Sequence, residues 1–272
     1  MKRVYTTSGC TQGQDNMPRD RRDYYYNKAR KEGYRSRAAY KLKQISERFN
    51  LINKGSTVVD LGAAPGGWCQ IARELSGGKV VGVDILPIKE IEGVETIKGD
   101  IRLDPTIETI RGLIKKEGAD VVLCDAAPNL SGSWSYDHAR SIDLALSALE
   151  CAKKILKPGG GFAVKVFQGD MFPDFLNRVR GYFEKVQAFS PQASRKQSAE
   201  IYVIGKQLIN DAVKLNEVYT VTIEDIGADG DGIAKIDDFV VFVKRGKVGE
   251  TLKIRIRDVK TRFGFGEIIP WS

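Results

Sequence analysis

The stretch Thr57-Val58-Val59-Asp60-Leu61-Gly62-Ala63-Ala64-Pro65-Gly66-Gly67-Trp68 runs from a short β-branched segment directly into a glycine-rich turn. It reads as a buried strand, a tight turn and the start of a helix that continues to Leu75. Outward from it the same grammar repeats. Val80-Val81-Gly82-Val83 ends at Asp84, Val121-Val122-Leu123-Cys124 ends at Asp125, and Phe162-Ala163-Val164-Lys165-Val166-Phe167 follows the turn Pro158-Gly159-Gly160-Gly161. Between them Ile142, Ala145, Leu149, Ala152 and Leu156 mark a long amphipathic helix. Upstream, Ala38, Leu42, Ile45, Phe49 and Ile52 recur at helical spacing, with Lys41 on the edge of that stripe. Strands alternating with helices give an α/β class, a mostly parallel sheet covered on both faces. Such sheets bind ligands at the carboxyl ends of their strands, where Gly62, Asp84 and Asp125 all fall.

The chain has 272 residues, 42% of them hydrophobic and 29% charged, which is enough apolar material for a proper core and too little net charge for a disordered chain. No run reaches the roughly 18 to 20 apolar residues of a membrane span, and the N-terminus lacks the apolar stretch of a signal peptide. The expectation is a cytoplasmic protein, monomeric, with no membrane partner. Cys10, Cys69, Cys124 and Cys151 are far apart and His138 is the single histidine, so neither a disulfide framework nor a Cys/His zinc site is expected. A hydrolase built on His138 lacks a nucleophile elbow to go with it.

Charge is unevenly placed. Residues 1–50 hold 13 Lys/Arg and 5 Asp/Glu, a net of +8 that equals the charge of the whole chain. The run Arg19 to Lys31 interleaves cations with Tyr24, Tyr25 and Tyr26, a composition suited to phosphates and unstacked bases, or to a solvated helix with tyrosine packed on the core. Residues 1–19 are polar and patternless and read as a disordered extension, or as sequence upstream of a start at Met17. After about Asn210 short strands separated by Gly/Asp turns, such as Gly227-Ala228-Asp229-Gly230-Asp231-Gly232, suggest a small all-β barrel. Residues 244–262 carry 8 basic and 2 acidic side chains, against 2 and 7 in residues 214–238. In a last strand Thr251 to Arg257, Lys253, Arg255 and Arg257 alternate with Leu252, Ile254 and Ile256, and Phe263 and Phe265 follow. The cations are either an RNA-facing stripe or simply the solvent face of the barrel.

The turn after the first strand is not the Gly-x-Gly-x-x-Gly that cradles a dinucleotide pyrophosphate. Acids at successive strand ends, Asp60 and then Asp84, suit a cationic ligand with a ribose, and S-adenosylmethionine fits. Asp100 lies where a third strand should end, placed to bond an adenine amine. Each acid alone is more often a cap or turn residue. Lys165 is costly in a strand buried on both faces unless it is paired or at work, and a salt bridge to Asp125 would pair it. Lys41 and Glu200 also occupy semi-apolar positions, so two lysines and two carboxylates suffice for one buried network.

Five segments, Ser36-Arg37-Ala38-Ala39-Tyr40-Lys41-Leu42, Asp60 to Trp68, Asp125-Ala126-Ala127-Pro128-Asn129, Lys165-Val166-Phe167-Gln168-Gly169 and Ser198-Ala199-Glu200-Ile201-Tyr202, together closely resemble the FtsJ/RrmJ family of ribosomal RNA ribose 2′-O-methyltransferases. The match spans about residues 20 to 207. Residues 212–271 look like a TRAM domain, an OB-like RNA-binding module, a fusion more similar to archaeal members than to the short bacterial ones. The resemblance implies a Rossmann-like methyltransferase domain over 20–210 and an RNA-binding domain over 211–272. It implies Lys41, Asp125, Lys165 and Glu200 as the catalytic set, with Lys165 as general base. Gly66, Trp68, Asp84, Asp100 and Asp125 are the implied contacts to S-adenosylmethionine, with no metal. The implied reaction is methylation of a uridine 2′-OH in large-subunit (23S) ribosomal RNA, free or in the assembled subunit. A tRNA ribose methyltransferase, a non-catalytic ribosome-assembly factor and a nicotinamide dehydrogenase are the competing readings. The last lacks its glycines, and all four residues of the catalytic set argue against an idle enzyme.

Overall fold

The computed structural model describes residues 20–114, 118–195, 198–209, 213–237, 239–261 and 263–270. The extension 1–19, with Met17, and the expected domain boundary at residues 210 and 211 lie outside them.

Two helices come first, α1 (Asp20–Lys31) and α2 (Ala39–Phe49), followed by β1 (Val58–Leu61), α3 (Gly67–Ser76), β2 (Val80–Asp84), β3 (Val94–Lys98), α4 (Asp104–Ile114) and β4 (Ala119–Cys124). Then come α5 (Trp134–Ile155), β5 (Leu156–Phe167), α6 (Phe172–Arg180), β6 (Phe183–Phe189) and β7 (Glu200–Leu208). The seven strands form one sheet in the order β3-β2-β1-β4-β5-β7-β6. β1 to β5 run parallel, while β7 enters antiparallel between β5 and β6, with Lys165 opposite Tyr202 and Phe167 opposite Glu200. The long helix ends at Ile155 and not beyond, because Leu156 already belongs to β5, where Ala119 pairs with it.

Alternation of side chains along each strand divides the core in two. Val59, Leu61, Val122, Phe162, Val164 and Val203 pack toward α4, α5 and α6. Val58, Val121, Leu123, Ala163, Tyr202 and Ile204 pack toward α2 and α3 with Leu42, Ile45, Trp68 and Ile71. That second face also takes Asp60 and Lys165, since each lies between strand neighbours that point the other way. The polar residues of interest are therefore embedded in the layer between the sheet and the first helices. Of the three adjacent tyrosines in α1, Tyr25 packs on Tyr40 at a ring distance of 5.3 Å, and Tyr24 and Tyr26 are exposed. The packed-tyrosine reading of that segment thus holds for Tyr25.

The remainder is a second sheet of β8 (Val218–Thr222), β9 (Asp225–Ile226), β10 (Gly232–Ile236), β11 (Phe239–Val243), β12 (Thr251–Val259) and β13 (Phe263–Ile268), in the order β8-β12-β13-β11-β10-β9. It curls around Val221, Ile223, Ala234, Phe239, Val241, Val243, Ile254 and Ile256. The strand at Thr251 is not the last one: β13 follows, pairing antiparallel with β12 and parallel with β11. Thr261 ties this unit to the first sheet, its amide donating to Glu184 Oε1 in β6 at 2.8 Å and its hydroxyl to the same oxygen.

The turn after β1 needs its first glycine for two reasons. Gly62 has φ +71, and a Cβ there would stand 2.4 Å from the Cβ of Ala126, where the chain leaving β4 passes. Gly62→Val is expected to destabilise the protein by about 2–4 kcal/mol, since both the backbone and a neighbouring segment must move. Urea denaturation followed by circular dichroism checks it. A loss below about 0.5 kcal/mol would show the turn to be compliant.

Candidate active site

The carboxyl ends of β4 and β5, the start of β7 and the first turn of α2 meet at one point, and the four residues of the sequence-read network meet there. Lys165 Nζ lies 2.6 Å from the main-chain oxygen of Asp125, 3.1 Å from Asp125 Oδ1 and 4.0 Å from Glu200 Oε1. Lys41 Nζ donates to Glu200 Oε2 at 2.8 Å. Lys41 and Lys165 are 7% and 8% exposed, so the carboxylates are what make two ammonium groups tolerable there. Burial works to raise the Glu200 carboxyl, but the charge and hydrogen bond of Lys41, joined by Lys165 and Ser198, outweigh it and hold it below its ordinary value.

Tyr202 completes the cluster, and sequence reasoning did not single it out. Its hydroxyl donates to Asp125 Oδ1 at 2.6 Å, its ring lies 5.8 Å from Trp68, and Lys41 Nζ sits 5.6 Å from its centroid. Burial, together with the Asp125 carboxylate, raises the phenol well above its usual value, so it remains a donor. The signal was available: in Glu200-Ile201-Tyr202 a period of two puts residues 200 and 202 on the same strand face.

The glycine turn forms a cradle beside this cluster. Gly66 has φ +109 and opens α3. Asp84 braces the turn from the end of β2: its Oδ2 accepts the Ala64 amide at 2.9 Å and its Oδ1 the Leu86 amide at 2.8 Å. Arg35, which sequence analysis passed over, straps the turn to the next loop, donating to Pro65 O at 3.2 Å, Lys89 O at 2.6 Å and Glu90 O at 2.5 Å. Ile85, Leu86 and Leu103 are exposed around it.

Three of the sequence-read residues are taken up within the protein. Asp60 does not face a ligand: it is buried under α3, with Cys69 Sγ donating to Oδ2 at 3.3 Å and Oδ1 without a partner. Trp68 is buried and its indole N–H donates to Ala38 O at 2.7 Å, so it fixes α2 to α3 as well as flanking Tyr202. Asp100 already holds a partner two residues away, Arg102, whose guanidinium keeps its carboxyl below the usual range.

Burial pushes the Asp60 carboxyl up to about 8; the Cys69 hydrogen bond opposes this, and the charges of Asp125 and Asp84 add to it. Unfolded aspartate ionises near pH 3.9. Between about pH 4 and pH 8 the unfolded chain therefore loses a proton that the folded one keeps, and Asp60 costs stability as pH rises. Asp60→Asn should gain stability relative to the parent over that window and run parallel to it above, as read from urea midpoints at successive pH values. A difference that does not vary with pH would contradict the buried-acid account.

A family described as FtsJ-like methyltransferase matches residues 34–208, and one described as TRAM domain matches residues 212–269. The chain is 63% identical over 252 residues to the ribosomal RNA large subunit methyltransferase E of Methanosarcina mazei, covering 93% of this chain and 94% of that protein. It is 48% identical over 251 residues to the protein of the same name from Natronomonas pharaonis, covering 92% and 99%. Among solved structures, one described as a ribosomal RNA methyltransferase from Plasmodium falciparum is similar at 28% identity and a TM-score of 0.59, over 64% of this chain and 98% of that one.

Proposed function

Because the chain belongs to the FtsJ-like methyltransferase family, we propose that it methylates the 2′-hydroxyl of a uridine ribose in large-subunit ribosomal RNA, with Lys165 as general base. The methyl donor of this methyltransferase is S-adenosylmethionine. The strand ends suit it: the chain turns at Gly62 and Gly66 with positive φ, Asp84 stands at the end of β2, and Ile85, Leu86 and Leu103 are exposed apolar side chains that a purine could cover. Gly66, Trp68, Asp84, Asp100 and Asp125 would line it, with Asp100 exchanging its bond to Arg102 for an adenine amine. When bound, the sulfonium would supply an electrophilic methyl group.

The observation that carries the reading is the pair of short contacts at Lys165. A neutral amine has two N–H bonds and one lone pair. In the neutral form that a base requires, both hydrogens have acceptors in the main-chain oxygen and Oδ1 of Asp125, at 2.6 and 3.1 Å, and Glu200 at 4.0 Å lies beyond hydrogen-bond reach. The lone pair is left for the 2′-hydroxyl proton. The proton released by the ribose hydroxyl goes to Lys165, and Asp125 and Glu200 stabilise the ammonium that forms. Asp125 aims the amine, Tyr202 fixes the Asp125 carboxylate, and the Lys41–Glu200 pair borders the place of the ribose. Most of the work is alignment and proton removal.

The C-terminal unit serves as a second grip on RNA. Phe242, Phe263 and Phe265 form a cluster with centroids 5.6–5.8 Å apart on the outer side of β11 and β13, where Lys253, Arg255 and Arg257 of β12 also point away from Ile254 and Ile256. Arg257 is partly committed to Glu267 at 2.5 Å, so the cationic stripe is narrower than composition suggests. Among the described residues no helix is long and apolar enough to cross a membrane.

Lys165→Ala is expected to abolish methyl transfer while leaving S-adenosylmethionine affinity within about threefold, because the amine acts on the acceptor. Mass-spectrometric mapping of RNA incubated with the donor and either protein, beside calorimetric donor binding, checks both. A Lys165-dependent 2′-O-methyluridine in large-subunit RNA is the expected result. A mark confined to tRNA would move the target, and full activity in the variant would remove Lys165 from the mechanism.

A further inference from the structure

We propose that Trp134 is a stacking platform for an unpaired base of the RNA strand, adjoining the ribose that receives the methyl group; this deepens the methylation reading and rests on it. Trp134 opens α5 and is 52% exposed, far above what its size leads one to expect of a tryptophan at a well-packed helix start. It is nevertheless held firmly. Its ring stacks on His138 at 5.9 Å and 14° and on Phe167 at 6.0 Å and 22°.

The supports are themselves fixed. His138 is buried, its Nε2 accepts the Met171 amide at 3.1 Å, and Gly169 passes so close that a Cβ would lie 2.8 Å from its ring. The Phe167 amide donates to Ser141 Oγ at 2.8 Å. Before the helix, Asp137 accepts the amide and hydroxyl of Ser131 at 2.8 Å each and the Gly132 amide at 3.2 Å, which sets the loop that delivers Trp134. A half-open aromatic ring on so rigid a base loses little freedom when a ligand covers it, the condition under which stacking yields affinity.

Position selects the ligand. Phe167, the ring beneath Trp134, pairs with Glu200 at the carboxyl end of β5, two residues along the strand from Lys165, which puts the platform at the same edge of the sheet as the cluster. Tyr136 and Arg140, whose guanidinium lies 5.6 Å from the Tyr136 ring and donates to Asn129 O at 3.1 Å, face away from the Trp134–His138 line of α5, so the platform is the Trp134 ring alone. A half-exposed flat aromatic ring on a fixed base is the recognition chemistry of an unstacked nucleic-acid base, and a 2′-hydroxyl reaches Lys165 readily only from an unpaired strand.

The test compares the full-length protein with Trp134→Ala and Trp134→Phe, using a fluorescein-labelled single-stranded large-subunit RNA fragment for affinity and the unlabelled fragment for methyl transfer. Trp134→Ala should weaken RNA binding and raise KM for RNA by about tenfold. The slope of log affinity against log salt should stay unchanged, because no phosphate contact is lost. Affinity for S-adenosylmethionine should not move, and Trp134→Phe should restore RNA binding to within about threefold. An alanine variant that binds RNA as the parent does, or a phenylalanine variant as weak as alanine, would overturn the platform. Absence of methyl transfer in the parent would instead sink the methylation reading, and the binding arm would still decide the platform.

Discussion

A lysine in the interior of a sheet strand, Lys165 in β5, is the constraint from which the site follows. Moving an ammonium group out of water costs several kcal/mol unless close partners restore what solvent supplied. The fold supplies them from three directions. The end of β4 brings both oxygens of Asp125 that Lys165 touches, the antiparallel β7 brings Glu200 and Tyr202, and α2 brings Lys41 to balance Glu200. Lys41 and Glu200 are 159 positions apart in sequence, so their 2.8 Å contact exists only when the sheet and the first helices have assembled. The insertion of β7 between β5 and β6 is what sets Tyr202 opposite Lys165.

Two carboxyl groups in that layer are driven in opposite directions by their surroundings. Asp60, covered by α3 and bonded only by Cys69, is pushed up to about 8, while Glu200, also partly buried, is held below its ordinary value by Lys41 and Lys165. A neutral acid thus lies beneath the cradle and an ionised one lies beside the amine. Separating neighbouring acids in this way is how a single fold assigns them different tasks. Here Asp60 spaces β1 from α3, and Glu200 receives charge.

Much of this was legible in the sequence, for identifiable reasons. Strand and helix order followed from the alternation of apolar runs with periodic segments, and Lys165 stood out because a charge in a two-sided apolar strand violates the local pattern. Lys41 and Glu200 drew notice for the same reason. What escaped notice depended on contacts between distant segments or on the geometry of loops. The burial of Asp60 depends on α3 covering β1; the occupation of Asp100 by Arg102 and the strap made by Arg35 are loop geometry; and β13, read only as two phenylalanines, pairs with two strands that flank it in space. Trp134 was invisible because nothing in its neighbourhood of sequence announces the rings of His138 and Phe167 beneath it.

The two aromatic surfaces, at Trp134 beside the cluster and at Phe242, Phe263 and Phe265 on the second sheet, fit an enzyme that holds an unpaired strand at more than one point. Whatever holds the strand, the central claim concerns the amine. The most direct test is the pH dependence of single-turnover methyl transfer with donor and RNA both bound. A base at Lys165 taking the hydroxyl proton predicts a rate that rises with pH. A rate independent of pH over the acid and neutral range would contradict it and leave the cluster as a device for alignment alone.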